Sequence, residues 1–439
     1  MTTHIFVLGL GPFHEKYLKT IPDGDQYEFH ALLKDIEVLK LSEYSCEQML
    51  QTAGRRIRDF SEPIGGIITH WDFPASTLLP ILCQQFGFRC ASPEAVLKCE
   101  HKYWSRLNQQ EAVPELTPEF CSVDPFAAEP YSQVTIDFPF WIKPVKAFDS
   151  HLGFRIDNRQ DFNHAIQVTR RKIRRVGEPF NVALSHAELP KKIERIDGNC
   201  CIAEQIVNGK QCGIEGYMLD GKFAVHGVVD GVKDSHHLSF TRWEYPSAWP
   251  RKVCRRMNEA AEKLMKHLGY DNAPFGVEFF WEQDTDELWI LEVNTRISQS
   301  HSDQFIKVKG TSNHEAAVAV ATGREPDFDS QGGPYQCAAK FMLRRYQDVV
   351  VTRVPNEEQI RAAEEAIPDA KVRLVVEAGT QLSDIRDQDS YSYEIANIWL
   401  GAQTQNELLG KYQELATRLP FEFSDGKPVE PFQFQKVRY

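Results

Sequence analysis

The sequence predicts an α/β protein in which an N-terminal parallel sheet is followed by parts that mix helices with antiparallel strands. In residues 1–98, short apolar runs alternate with amphipathic stretches, a pattern that is typical of a parallel sheet. Between residues 200 and 295, strand-like runs follow one another through tight turns, which favours antiparallel pairing. With 42% hydrophobic and 26% charged residues, the 439-residue chain has the composition of several ordinary globular domains.

Three strands are predicted in the N-terminal part, over residues 4–10, 27–33 and 64–70. Gly9 and Gly11 follow the first strand, as they would in a dinucleotide-binding loop. The third glycine of the G-x-G-x-x-G pattern is replaced by His14, however. We therefore expect a plain turn between a strand and a helix here.

The next segment is predicted to contain two helices and a strand. Ser92 and Pro93 suit the start of one helix, and the following helix, which carries Lys102, should end at Val113 and Pro114. Further predictions are a strand over 138–144, a loop over 145–153, a basic helix over 161–175, an irregular stretch over 177–199, strands over 201–207, 213–219 and 222–229, helices over 251–268 and 312–322, and a hairpin of 274–281 with 287–294.

Domain boundaries are placed where the composition changes. Residues 327–334 are rich in Gly, Asp and Pro, which is typical of a linker. We expect an N-terminal α/β domain over 1–98, a central domain over 99–330 with a mobile lid at about 120–200, and a small α+β domain over 331–439.

Charge and cysteine content restrict the partners. Acidic residues outnumber basic ones 62 to 50, so the formal charge is −12 and the surface repels nucleic acids and anionic membranes. The ten cysteines form no C-x-x-C pair, and the N-terminal apolar run is too short for a signal peptide or a membrane span. We expect a cytoplasmic protein with reduced thiols and with neither nucleic acid nor membrane as its partner.

The segment with the clearest chemical signal is the predicted hairpin. Its most natural register puts Glu278 opposite Glu292, with the two side chains starting about 5 Å apart. By the two-residue period of a strand, Asn294 and Arg296 continue the same face. Such an arrangement suits a Mg²⁺ site beside a phosphate, with Arg296 neutralising the transferred phosphate. The alternative is a solvent-exposed edge hairpin, on which charged residues carry no function.

Together with two upstream lysines, this hairpin resembles the ATP-grasp superfamily, whose signature includes an E…E-x-N metal triad. Lys102 and Lys143 resemble the two phosphate-binding lysines of that family, although either one alone would be an ordinary surface lysine. The resemblance covers about residues 90–420. It implies an ATP-grasp fold with ATP and two Mg²⁺ ions (or Mn²⁺) as cofactors, metal ligands at Glu278, Glu292 and Asn294, and catalytic roles for Arg296 and Lys143.

The same resemblance assigns the nucleotide pocket. The loop over 147–153 occupies the place of the phosphate-covering loop, of which Ser150 and Gly153 fit the family pattern. The stretch over 203–207 resembles the hinge that faces adenine, and the position of Glu215 often contacts ribose or substrate. The implied nucleotide-binding residues are Lys102, Lys143, Ser150, Gly153, Glu204, Gln205, Val207 and Glu215.

Two features bear on the branch of the superfamily. The metal motif is similar to that of biotin carboxylase, but Ser300 replaces the glutamate that follows the arginine in those enzymes. The C-terminal module resembles that of amino-acid ligases and carnosine-synthase-like enzymes. The resemblance thus implies a ligase that joins a small-molecule carboxylate to an amine, and a homodimer is compatible with it. A carboxylase, an acid–thiol ligase and an inactive nucleotide-binding protein are the alternatives.

Basic residues after residue 230 are candidates for substrate recognition, but a solvated basic loop is favoured for them. They are Lys233, His236, His237 and Arg242. The same interpretation applies to His301.

Overall fold

The computed structural model describes residues 2–40, 45–147, 152–234, 239–385 and 392–429. The chain divides into two compact units. The first comprises Met1–His226, Lys252–Gln299 and Asn313–Asp327, and the second comprises Gly227–Arg251, Ser300–Ser312 and Phe328–Tyr439.

The first unit begins with the predicted parallel sheet. Its central strand β1 (Thr3–Leu10) runs parallel to β2 (Tyr27–Lys34) on one side and β3 (Ile64–Thr69) on the other. The helices of this region are α1 (Pro12–Leu18), α2 (Asp35–Leu39), α3 (Cys46–Asp59) and α4 (Ala75–Phe86). Buried side chains of the strands, such as Leu8 and Ile67, pack with Met49 of α3 and Leu78 of α4 in one apolar core.

Gly9, at the end of β1, and Gly11, before α1, belong to a turn between strand and helix, as predicted. The strand ends at Leu10 and α1 begins at Pro12. Gly9 has a φ of +92°, and a Cβ atom there would lie 2.2 Å from Cδ1 of Trp71. The Trp71 indole also donates a hydrogen bond to the Gly9 carbonyl at 2.7 Å. Glycine is therefore required here by close packing of an indole.

Two helices follow, α5 (Pro93–Glu100) and α6 (Lys102–Ala112). As predicted, the Ser92 hydroxyl caps α5, and α6 ends before Pro114. Next come β4 (Phe120–Val123), β5 (Phe140–Pro144), β6 (Phe154–Ile156), α7 (Arg159–Lys172), α8 (Arg174–Leu184) and β7 (Cys201–Gln205). The four strands form an antiparallel sheet in the order β4-β7-β5-β6.

The prediction of irregular structure over 177–199 was wrong for its first part, which belongs to α8. Gly177 and Pro179 disfavour a helix. Val176, Phe180 and Leu184 are nevertheless buried with the N-terminal core at a spacing of four residues. Burial of this apolar stripe outweighs the local preferences.

The next part of the chain contains the predicted hairpin. In chain order the elements are β8 (Lys210–Leu219), β9 (Lys222–Lys233), β10 (Phe240–Tyr245), α9 (Arg251–Leu268), β11 (Ala273–Glu282), β12 (Glu287–Asn294), α10 (Ser302–Lys309) and α11 (His314–Ala321). The hairpin is formed by β11 and β12. In the first unit, β11 pairs with β8 on one side and with β12 on the other. The chain enters the second unit within β9, and β10 and α10 belong to that unit.

The second unit is completed by β13 (Cys337–Arg345), β14 (Val351–Arg353), α12 (Glu357–Ala366), β15 (Lys371–Leu374), β16 (Tyr393–Ala402), α13 (Gln405–Thr417) and β17 (Glu422–Phe423). Strand β13 lies between β10 and β16, and β15 pairs with the far side of β16. Helix α13 packs on this sheet, where Tyr412 stacks on Phe341 at a centroid distance of 4.3 Å. Across the described ranges, none of the helices is long and apolar enough to cross a membrane.

The prediction of a solvated basic loop was wrong for two residues. Arg242 is buried on β10 and donates a hydrogen bond to Glu244 at 2.8 Å. His301 is also buried, with its ring 5.3 Å from that of Trp243. His236 and His237 lie outside the described residues.

Candidate active site

The hairpin brings two carboxylates face to face. Glu278 on β11 is the direct partner of Glu292 on β12, as predicted, but the register shifts by one residue next to this pair, so that Phe279 pairs with Ile290. Glu278 accepts hydrogen bonds from Gln211 at 2.6 Å and from Asn294 at 3.2 Å. Burial, followed by the charge of Glu292, raises the pKa of Glu278 to about 7. The two acids thus resist joint ionisation, and a cation between them would remove that repulsion.

Asn294 and Arg296 extend the same face, as the strand period predicts. Asn294 is the last residue of β12, and the Arg296 guanidinium lies 3.5 Å from its side-chain oxygen. Arg296 is held in place by Asp72, to which it donates a hydrogen bond at 2.7 Å. Burial lowers the pKa of the Arg296 guanidinium, but the charge of Asp72 raises it by more, so the pKa is raised overall. Arg296 is therefore a fixed cation next to the carboxylate pair.

Lys102 reaches the carboxylate pair from the first turn of α6. Its Nζ lies 3.5 Å from Glu292 and donates a hydrogen bond to the Ala147 carbonyl at 3.1 Å. Burial raises the pKa of Glu292, but the charges of Lys102 and Lys143 outweigh it, so that this pKa is lowered overall. Glu292 is thus the ionised member of the pair and Glu278 the one that is readily protonated.

Lys143 on β5 is positioned by a buried acid. Its Nζ lies 2.5 Å from one carboxylate oxygen of Glu204, and Arg106 donates to the other oxygen at 2.7 Å. Burial raises the pKa of Glu204, yet these two cations lower it to about 2. Arg106 also donates to the carbonyls of Ile290 and Leu291 at 2.8 and 2.9 Å. It therefore joins the end of β7 to the hairpin strand β12.

The remaining hinge residues lie at the exit from β7. The Gln205 side chain is exposed and accepts a hydrogen bond from the backbone of Glu119, and Val207 is half-buried in the connection to β8. Glu204, which the sequence assigned to the adenine side of the hinge, directs its carboxylate into the ion pairs with Arg106 and Lys143.

Glu215 lies on the same sheet face as the carboxylate pair. The pairing of β8 with β11 puts Gly213 opposite Glu278, and Glu215 follows two residues later. Its buried carboxylate accepts a hydrogen bond from Asn313 at 2.7 Å. Of the two residues predicted for a phosphate loop, Gly153 lies just before β6, whereas Ser150 falls outside the described residues.

A second group of charges, which the sequence reasoning missed, lies behind Arg296. Lys146 contacts Glu100 and lies 3.3 Å from Asp72, and Thr295 donates a hydrogen bond to Glu100 at 2.5 Å. Burial lowers the pKa of Lys146, but the charges of Glu100 and Asp72 raise it by more, so the pKa is raised overall. Asp72 could have been found from its position just after β3, since the carboxyl ends of parallel strands commonly face ligand sites.

This arrangement agrees with a comparison against protein families, in which the model of the ATP-grasp domain matches residues 136–303. The match covers less than half of the chain and assigns an ATP-grasp domain to these residues. Its fold is similar to that of an L-amino acid ligase from Bacillus licheniformis, with a TM-score of 0.72 and 15% identity over 96% of this chain and 99% of that chain. The predicted fold class is thus confirmed.

Two further solved structures are similar over most of their length. Biotin carboxylase from Campylobacter jejuni has a TM-score of 0.61 and 15% identity, with 96% of this chain and 92% of that chain covered. Carboxyaminoimidazole ribonucleotide synthase from Aspergillus clavatus has a TM-score of 0.65 and 14% identity, with coverages of 95% and 98%. Among curated proteins, urea amidolyase from Saccharomyces cerevisiae is 37% identical over 81 residues, which are 18% of this chain and 4% of that protein.

The described charges of this site show no excess of basic groups. The side chains described above include five basic and six acidic groups: Lys102, Arg106, Lys143, Lys146 and Arg296, and Asp72, Glu100, Glu204, Glu215, Glu278 and Glu292. The carboxylate and amide oxygens on the hairpin are the hard ligands that Mg²⁺ prefers. Glu278, Glu292 and Asn294 could therefore hold such an ion.

Proposed function

We propose that this chain is an ATP-dependent carboxylate–amine ligase. It would form an amide or peptide bond between amino-acid-like substrates through an acyl phosphate, and it would release ADP and phosphate. The observation that carries the proposal is the pairing of Glu278 with Glu292. Asn294 and Arg296 lie beside this pair, and the Nζ of Lys102 lies 3.5 Å from Glu292.

The charge balance of the site supports a requirement for Mg²⁺. Because the five basic side chains face six acidic ones, they supply no excess positive charge to a nucleoside triphosphate. Divalent ions held by Glu278, Glu292 and Asn294 would supply it and would polarise the terminal phosphate. The repulsion that keeps Glu278 partly protonated is relieved in the same way.

In the first step, an oxygen of the substrate carboxylate attacks the γ-phosphorus of ATP. The new O–P bond forms as the bond to the bridging β–γ oxygen breaks, and ADP leaves. We assign Lys102 and Lys143 to the phosphates and Arg296 to the transferred phosphoryl group. Asp72 and Glu204 would keep Arg296 and Lys143 in position, so that little reorganisation is needed during the reaction.

In the second step, the amine attacks the carbon of the acyl phosphate. The C–N bond forms, the C–O bond to phosphate breaks, and the amine loses a proton. Water would destroy the intermediate, so the site must exclude it while the acyl phosphate exists. We assign this task to the proposed lid at about 120–200, which contains the strands β4, β5 and β6 of the four-stranded sheet with α7 and α8.

The test supplies the full chain with Mg-ATP, pools of amino acids and hydroxylamine, which traps acyl phosphates as hydroxamates. We expect ADP, phosphate and a hydroxamate, with Glu292→Gln inactive. Glu287→Gln is the matched control, since Glu287 is an exposed residue of the same strand. Release of AMP and pyrophosphate would contradict the acyl-phosphate route, and product formed only with thiol acceptors would contradict the amine.

A further inference from the structure

A second group of possible metal ligands lies on the parallel sheet of the first unit. His4 on β1 is the direct partner of Glu28 on β2, and His30 is two residues further along β2, so all three side chains share one face. His4 Nδ1 lies 3.0 Å from His30 Nε2 and 3.6 Å from a Glu28 oxygen, and the other Glu28 oxygen lies 3.8 Å from His30 Nε2.

These separations match the edges of a tetrahedral zinc site. Zinc binds imidazole nitrogen at about 2.0–2.1 Å and carboxylate oxygen at about 2.0–2.2 Å, so neighbouring ligand atoms lie about 3.4 Å apart. The observed values of 3.0, 3.6 and 3.8 Å lie on both sides of this length. The last two values involve different oxygens of Glu28, and one atom from each of the three residues lies within 4.8 Å of the others. A rotation of the exposed Glu28 carboxyl would therefore bring one oxygen and the two nitrogens around a single ion.

A second acid orients the buried histidine. Glu62, in the connection from α3 to β3, lies 2.8 Å from Nε2 of His4. A carboxylate at that distance favours a proton on Nε2, which leaves the lone pair on Nδ1, the atom that faces His30 and Glu28. Metal-bound histidines usually donate their second N–H in this way, and the contact fixes both tautomer and ring orientation.

The surroundings also suit a bound ion. The ring of Phe60 lies against both histidines, with centroid distances of 5.3 Å to His4 and 5.0 Å to His30, so one side of the group is apolar. Glu28 has a side chain that is 58% exposed, which leaves the other side open to a water molecule as fourth ligand. Metal sites are commonly bordered by apolar side chains that limit the access of water to the ion.

We propose that His4, Glu28 and His30 bind a divalent transition-metal ion of the zinc type, with Glu62 orienting His4. Imidazole ligands suit Zn²⁺ and related ions and do not suit Mg²⁺, so this site is distinct from the carboxylate pair. His4 is near the start of β1, whereas Asp72 follows the opposite end of the parallel strand β3, about 20 Å away for strands of this length. The ion would therefore join β1, β2 and the connection after α3, away from the reaction.

The experiment titrates Zn²⁺ into the full chain after treatment with a chelator, in the absence of nucleotide, and measures binding by calorimetry against a competing chelator. The variants are His30→Gln and Glu28→Gln, which alter partly exposed side chains. The matched control is His267→Gln, since His267 forms another histidine–carboxylate pair, at 3.3 Å from Glu111. Circular dichroism verifies that each variant is folded.

We expect one zinc ion per wild-type chain, an affinity at least tenfold weaker in His30→Gln and Glu28→Gln, and no change in His267→Gln. Glu62→Gln should weaken binding by about 10–100-fold, as is usual for a residue that orients a ligand. Zinc should also raise the melting temperature of the wild type more than that of His30→Gln, while both retain equal ligase activity with Mg-ATP. Equal zinc affinity in the wild type and both ligand variants would overturn the proposal, as would a wild type that binds no zinc.

Discussion

Replacement of Glu278 by glutamine should stabilise the ligand-free protein at alkaline pH while it removes ligase activity. The reason is the pKa of Glu278, which rises from an ordinary 4.5 to about 7 through burial and the nearby charge of Glu292. Between these two values, the folded chain holds a proton that the unfolded chain has released. The stability of the wild type therefore falls as pH rises through this window.

The size of the effect follows from the two pKa values. One pKa unit corresponds to about 1.4 kcal/mol, so a rise from 4.5 to about 7 costs the wild type about 3 kcal/mol once Glu278 is ionised. Glutamine keeps the shape and the hydrogen-bonding oxygen but has no charge. The gain from Glu278→Gln should thus be near zero at pH 4.5, grow through the window, and reach about 3 kcal/mol above pH 7.

The assay is urea unfolding at several pH values in buffer without Mg²⁺ or nucleotide. Glu287→Gln serves as the control, since it makes the same change on the exposed side of the partner strand. It should show no comparable dependence on pH. If Glu278→Gln gave no gain above pH 7, or a gain that did not change with pH, the repulsion between the two acids would not exist as described.

Three further predictions follow from the same group of residues. Glu292→Gln should abolish turnover and leave the circular dichroism spectrum unchanged, and normal activity would contradict its assignment to Mg²⁺. Arg106→Met should lower the free energy of unfolding by about 3–5 kcal/mol, because Glu204 would keep only Lys143 as its partner. Thermal unfolding measures this loss, and the double variant Arg106→Met with Glu204→Met should recover part of it. The affinity for Mg²⁺, measured by calorimetry, should fall about tenfold per pH unit below about pH 7, because Glu278 must release its proton, and a flat profile would contradict this.

Local patterns made two features predictable from the sequence: the parallel sheet and the hairpin of β11 and β12 that carries the carboxylate pair. A strand alternates its side chains with a period of two, which predicted that Glu292 and Asn294 share one face. The pairing of Glu278 with Glu292 was also predicted, but it depends on a register shift between Glu278 and Phe279 that no sequence pattern indicated. The Ser92 cap and Pro114 also defined the ends of α5 and α6. Each of these predictions rests on residues that are close together in the chain.

The parts that escaped prediction depend on contacts between distant residues. Asp72 and Arg296 are 224 positions apart, and Arg106 and Glu204 are 98 positions apart. No local pattern links such pairs, because only the packed fold brings them together. Likewise, α8 forms in spite of Pro179, since Phe180 and its neighbours are buried against a core that the local sequence does not reveal.

The position of Asp72 has a practical consequence for experiments on fragments. A truncated chain that starts at residue 99 would keep Arg296, Lys146 and Glu100 but would lose Asp72, the carboxylate that both cations contact. Arg296 would then lose the acid that holds it in place, and Lys146 would keep only Glu100. The surroundings of the carboxylate pair therefore cannot be excised cleanly at the predicted boundary, and a minimal expression unit has to include the parallel sheet from β1 onward.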